Sequence, residues 1–431
     1  MKRIKMLTAA ISALLAVTLA AGCGVNAEPY VASNPDTAVL DTAVDAVKEV
    51  KAAPSDRNMN GMQGLVVRAN ADEVAVSRFW GTTVSDVILT VGAKDPSGII
   101  KDLNAAGIKV WLSVNAVNAD DNVVAAVGDL LGKYDVSGIE LDFLGEGASS
   151  VYAGDTYSRI DAVNAFVKNA AAKAAEFSKL IAVRVAGDIT TNYNFGLDVI
   201  SWVDDGNVSM VSPSSGSGIA DTTMPARLWY SALEPYDVIL APSMGAQIKP
   251  YSSVSAKPQL ASTFAGEAAM LLSMGADKVC VDYAAVDDAS LKILGSYTAL
   301  LATDRRVVLT YTDFKAGWQA SNEQLPKKLS EGQTVTVRIP VGDVAEGSTL
   351  TVKLGVSPIL PNPLKALTVV ANSKNCTPLF AGKCDGGYTN TTVYSFSVPA
   401  EVIDEGHIVA EIVCGNGQFD IIYAEVFIDA K

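Results

Sequence analysis

The stretch Val136-Ser137-Gly138-Ile139-Glu140-Leu141-Asp142-Phe143-Leu144-Gly145-Glu146 decides how the rest of the chain is read. It is a short apolar run carrying two carboxylates two positions apart. In an extended strand Glu140 and Asp142 point to one side, and Ile139, Leu141 and Phe143 to the other. A strand covered on both faces has no ordinary place for two acids. Near the C-terminal strand ends of a parallel barrel, inward side chains open onto the face where such barrels carry their chemistry, and acids are tolerated there. That reading requires seven more strands of the same kind.

The flanking sequence supplies them. From Gly64 onward, short β-rich apolar runs alternate with amphipathic helical stretches. The pattern predicts strands over residues 64–70, 86–92, 109–115, 138–144, 181–188, 208–214, 238–243 and 278–283. Helices are predicted over 96–106, 120–133, 157–178, 194–205, 225–233, 259–274 and 287–301. Eight such units in roughly 240 residues match the size of an α/β (β/α)8 TIM barrel, assigned to residues 61–305. A doubly wound sheet is the alternative, but no Gly-rich phosphate loop follows the first strand. After Arg306 the helical period stops. Segments 307–311, 334–340, 349–355, 367–371, 391–398, 407–413 and 419–428 alternate like strands, so residues 306–431 are read as a β-sandwich domain.

The formal charge of the 431 residues is −14. Without Lys2, Arg3 and Lys5, which lie in a segment expected to be removed, the three lost positive charges leave −17. So acidic a chain is unsuited to nucleic acid or to anionic membrane surfaces. The single histidine, His407, excludes a multi-histidine metal site, and a Ser-His-Asp triad would have to use it. It begins a strand of the distal domain, and an ordinary structural role is expected. No metal or cofactor is expected.

Residues 1–22 combine a basic start, an apolar stretch from Ala9 to Ala21 and small residues before Cys23, the pattern of an export signal rather than of a spanning helix. Leu19-Ala20-Ala21-Gly22-Cys23 resembles the lipobox of bacterial lipoproteins, with Leu19 one position further from the cysteine than in the commonest form. The resemblance implies a lipidated Cys23 as the mature N-terminus, a membrane anchor and an extracytoplasmic location. Residues 23–60, with one helical patch over 37–52, read as a tether.

Strand parity assembles a candidate site. Arg68 and Asn70 on strand one, Trp111, Ser113 and Asn115 on strand three, Arg184 and Asp188 on strand five, and Asp282 with the adjacent Tyr283 on strand eight gather with Glu140 and Asp142 toward C-terminal strand ends. Trp111 suits the stacking of a sugar ring; it equally suits core filling. Arg184 can be an internal ion-pair partner of Glu140 or Asp282, Asp188 a turn cap, and Cys280 a small buried hydrophobe.

The run Ser137-Gly138-Ile139-Glu140-Leu141-Asp142-Phe143 resembles the fourth-strand signature of chitinase-type (family 18) glycoside hydrolases, which reads Asp-Gly-Ile-Asp-Leu-Asp-Trp-Glu. It also resembles glycoside-hydrolase-like barrels that carry Gly-hydrophobic-Glu-Leu-Asp-Phe, as do residues 78–87 and 199–208. The resemblance covers about residues 60–305 and implies a carbohydrate ligand. Glu140 and Asp142 fall on the inner acids of the motif, but the proton-donating glutamate of the family falls on Leu144. Strand seven, Ala241-Pro242-Ser243, carries no acid either. An active barrel of this kind needs one carboxylic acid and one ionised partner across the scissile bond. Asp142 is then the acid/base, Glu140 below it tunes it by like-charge repulsion, and Glu146, Asp188 or Asp282 is the second carboxylate.

In the distal domain, Trp318, Tyr388 and Tyr394 are candidate stacking residues of a carbohydrate-binding module, the alternative being a structural appendage. A Cys376–Cys384 disulfide is expected in an exported protein, although Cys414 allows other pairings.

Two main functions remain: a surface-anchored hydrolase cleaving a glycan with paired carboxylates, and a binding protein that keeps the cleft without cutting. A mainly structural surface protein is a weaker third. An open cleft with two facing carboxylates supports the hydrolase; Arg184 clamped on Asp142 supports the inert barrel.

Overall fold

The structure is a computed structural model that describes residues 64–154, 156–312, 323–360, 366–399 and 406–431. The export segment, Cys23, the tether and Trp318 lie outside these residues. Pro54–Lys431 forms one compact unit.

Eight parallel strands make the first sheet: β1 (Leu65–Asn70), β2 (Val84–Thr90), β3 (Lys109–Asn115), β4 (Gly138–Asp142), β5 (Leu180–Ala186), β6 (Met210–Ser214), β7 (Ile239–Leu240) and β8 (Val279–Asp282). Their order is β8-β1-β2-β3-β4-β5-β6-β7. The sheet closes on itself. Beyond the short β7, Cys280 N–H donates to Pro242 O and Met244 N–H to Cys280 O, each at 2.8 Å, and Ser243 bridges both Ser214 and Cys280. Strand seven is short because Pro242 has no N–H to give the ladder. Every other strand took the expected position to within a few residues.

Parity sorts the strand residues into two cores. Inward-facing Val66, Ile88, Trp111, Ala182, Met210, Ala241 and Cys280 form a small cluster inside the barrel. The alternate positions, among them Ile139, Leu141 and Phe143, join the large core between strands and helices. Helices start where the sequence provides an oxygen for their first amides: Asp120 accepts from Asn122 and Val123, Asp198 from Ser201, and Asp287 from Ser290.

The helix Ala261–Ser273 has every residue from Thr263 to Leu272 buried. A helix without a wet face is enclosed on all sides, here by the barrel and by the strand Arg305–Val308 of the second domain. A Cβ at Gly266 would sit 2.0 Å from Arg306 O, so only glycine lets the strand approach so closely. Antiparallel sheets follow. One has the order Arg305–Val308, Gln418–Asp429, Thr349–Ser357, Thr392–Val398, Thr377–Gly382, and the other Thr334–Pro340, His407–Cys414, Leu367–Ala371, Lys374–Asn375, so the module is a β-sandwich.

Several expectations for this module are corrected. Tyr388 is 3 % exposed, and its hydroxyl bonds Pro258 O and Leu260 N–H at the seam with the barrel. Tyr394 is 5 % exposed and accepts from Leu360 N–H. Neither offers a ring face to a sugar. Cys376 and Cys384 are free thiols, as are Cys280 and Cys414, so the expected bridge is not formed.

Candidate functional site

The site is built on Gly138. A Cβ there would meet Leu180 O at 2.2 Å and the Trp111 ring at 2.6 Å. Glycine thus lets the indole lie across the foot of β4, and the acids two and four residues on enter the barrel above it.

Trp111 is 2 % exposed, and its Nε1 donates to Asp86 Oδ1 at 3.0 Å. It closes the barrel from within and presents no face for stacking, which corrects the sugar-platform reading. Asp86 also receives Lys278 Nζ at 2.5 Å, an ion pair at the floor of the barrel that sequence reasoning missed. Both residues fall at the ends of predicted strands, where charge needs no explanation.

One level up, Glu140 is 0 % exposed and takes Arg68 in a two-pronged pair, Nη1 to Oε1 at 2.7 Å and Nη2 to Oε2 at 2.5 Å. Ser113 Oγ adds a third hydrogen bond to Oε1 at 2.9 Å. Burial works against the Arg68 cation, yet the neighbouring Glu140 carboxylate outweighs it, and the guanidinium pKa is raised above its ordinary value. At the mouth, Arg184 Nη1 reaches Asp142 Oδ2 at 3.1 Å and Oδ1 at 3.4 Å, while Oδ1 also accepts from Leu144 N–H at 2.9 Å. The interior therefore stacks three ion pairs: Lys278–Asp86, Arg68–Glu140 and Arg184–Asp142. Asp86, Glu140 and Asp142 each face one cation.

The other candidates are spent on local structure. Asp188 caps the helix Ile189–Asn194 through Thr191 N–H, and Asp282 accepts from Ala284 N–H. Asn70 accepts from Asp72 N–H. Asn115 accepts from Val117 N–H and donates to Glu146 O. Glu146 is exposed on the loop after β4. Tyr283 leaves the barrel: the chain turns at Asp282, so its ring packs edge-on against Phe79 beneath Arg78, and its hydroxyl accepts from Ala75 N–H. Leu144 is buried at the position of the missing acid. Elsewhere, burial lifts the Glu267 carboxyl to about 8, beside Gln259.

One feature on the C-terminal rim carried no sequence signal. Tyr157, after β4, and Tyr193, on the helix after β5, lie with ring centroids 5.7 Å apart and are 56 % and 42 % exposed. Thr156 Oγ1 donates to Asn194 O at 2.6 Å and ties the two loops together. Tyr157 falls at the start of a stretch that periodicity assigns to a helix, where an aromatic ordinarily means core, and Tyr193 falls in the gap between a predicted strand and a predicted helix, where a single aromatic carries no pattern. No group of three or more metal-ligating side chains occurs among the described residues.

No family model matches the chain, and no curated protein does. Solved structures do. The chain is similar to a chitinase from Chromobacterium violaceum ATCC 12472, with 13 % identity and a TM-score of 0.39 over 56 % of this chain and 99 % of that one. It is similar to a glycoside hydrolase family 18 N-acetylglucosaminidase from Paenibacillus barengoltzii, with 7 % identity and a TM-score of 0.41 over 55 % and 99 %. A cell-surface-expressed multi-modular chitinase from Paenibacillus sp. str. FPU-7 matches 84 % of this chain and 54 % of that one, with 9 % identity and a TM-score of 0.39. These are likenesses of fold at low identity; the barrel assignment stands on the sheet order and closure given above.

Proposed function

We propose that this chain is an exported, lipid-anchored protein that binds a glycan through a glycoside-hydrolase-like barrel without hydrolysing it. The observation that carries the reading is that Glu140 and Asp142 are each engaged by an arginine, Arg68 and Arg184. A hydrolytic pair needs one carboxyl able to deliver a proton and another turned toward the sugar or its attacking water. Glu140 is enclosed with both oxygens occupied. Asp142 shares its oxygens with Arg184 and a backbone amide. The residue at the proton-donor position of the related motif is Leu144.

Binding is supported by the Tyr157–Tyr193 pair, because exposed aromatic rings held by tied loops stack on the apolar face of sugars at little entropic cost. Export and anchoring rest on residues 1–23 and the lipobox-like Leu19–Cys23.

Affinity electrophoresis of the purified protein in gels containing soluble polysaccharides tests the reading. Retardation by at least one polysaccharide, reduced in Tyr157→Ala and Tyr193→Ala with unchanged melting, is the expected result. Equal retardation of the wild type and both variants would remove the tyrosines from the account; no retardation in any gel would remove glycan binding.

A further inference from the structure

A second site lies away from the barrel mouth, where the sandwich meets the loop that follows β6. A cavity of about 400 Å³ opens there, lined on one side by residues 222–228 and on the other by Arg338, Pro340 and His407 of the sandwich. Thr222 and Thr310 bond across the junction beside it, their hydroxyls 3.0 Å apart.

The arginines single out this cavity. Six of the eight described arginines have their guanidinium groups engaged: Arg68, Arg78, Arg184 and Arg306 by carboxylates, and Arg159 and Arg305 by backbone carbonyls. Among the described residues the other two, Arg227 and Arg338, have no carboxylate or carbonyl on their guanidinium, and both line this cavity. They come from different domains, 111 positions apart in sequence, on a chain of net charge −14. Both are exposed, and two arginines lining one cavity of a strongly acidic protein give it a local positive field.

The surroundings agree. The helix Ala226–Leu233 begins here at Pro225 without a side-chain cap; Ala226 N–H and Leu228 N–H bond Met224 O and Pro225 O, so the helix start contributes its dipole, which favours negative charge. Met224 and Met274 add apolar wall, and the volume is that of pockets that enclose a small organic ligand.

We infer that this cavity binds a small organic oxyanion, a sugar-sized molecule whose carboxylate or phosphate group is held by Arg227 and Arg338. A guanidinium fork matches either group with paired, charge-assisted hydrogen bonds. The site is independent of the barrel mouth, so it stands whether or not the tyrosine pair binds glycan.

Calorimetric titration of the full-length protein with glucuronate, glucose 6-phosphate and neutral glucose tests it. Saturable binding of glucuronate, of glucose 6-phosphate or of both, with none of glucose, is expected. Arg227→Gln and Arg338→Gln are each expected to weaken it about ten-fold or more, while Tyr157→Ala leaves it unchanged. A preference between the two acidic probes identifies the oxyanion. Equal binding of glucose, absence of binding by both acidic probes, or undiminished binding in the Arg227→Gln/Arg338→Gln double variant would overturn the inference. Circular dichroism melts of the variants show that they remain folded.

Discussion

Replacing Arg68 by methionine probes the arrangement on which the functional reading depends. The substitution keeps most of the side-chain volume but removes both guanidinium hydrogen bonds to Glu140, whose side chain is fully buried and keeps only Ser113. Breaking a buried ion pair from one side costs about 3–5 kcal/mol, because the remaining charge is stranded away from water. The Arg68 side chain is 16 % exposed, so water can partly reach the vacated space, and a loss near 3 kcal/mol is expected. Exchanging both members for apolar residues is often neutral or stabilising. Arg68→Met/Glu140→Leu should therefore recover most of that loss. Urea titration followed by tryptophan fluorescence is the assay, since Trp80, Trp111, Trp202 and Trp229 all lie in the barrel. A single-variant loss below about 1 kcal/mol, or a double variant no more stable than the single, would refute the claim that Arg68 neutralises Glu140.

Gly138→Ala should destabilise the barrel by about 1–3 kcal/mol or more, since the new methyl meets Leu180 O at 2.2 Å and the Trp111 ring at 2.6 Å; an unchanged urea midpoint would contradict the packing described. Gly266→Ala should loosen the junction, because its methyl would meet backbone at 2.0 Å; faster proteolysis between barrel and sandwich checks this, and wild-type resistance would count against it. Glu267 has its carboxyl pKa raised by burial from 4.5 to about 8, so the folded protein holds this proton where the unfolded chain releases it. The stability it contributes is full below pH 4.5 and is lost as pH rises toward about 8, by at most about 5 kcal/mol. Glu267→Gln, which cannot ionise, should gain melting temperature relative to wild type across that window; parallel pH profiles would show that Glu267 is not buried as described.

The barrel was legible because its determinants are local and periodic. β-Branched runs, alternating parity and Asp caps are each written within a few residues, and the inward direction of Glu140 and Asp142 follows from parity alone. What the acids meet was not legible. Arg68 reaches Glu140 from 72 positions away, and Lys278 reaches Asp86 from 192; such pairs depend on how the strands close. Parity also says nothing about depth, so Trp111 was correctly turned inward but lies too low to meet a ligand. Tyr283 lies one residue past its strand, where parity no longer applies. In the sandwich, the strand Thr377–Gly382 escaped notice because it holds Pro378, has no buried face and sits at a sheet edge.

The most direct test of the central claim is release of reducing ends from a panel of polysaccharides by the wild-type protein and by Asp142→Asn. No release above blank is expected from either protein, because Glu140 and Asp142 are each held by an arginine. Release by the wild type that is abolished in Asp142→Asn would contradict it and return Asp142 to a catalytic role.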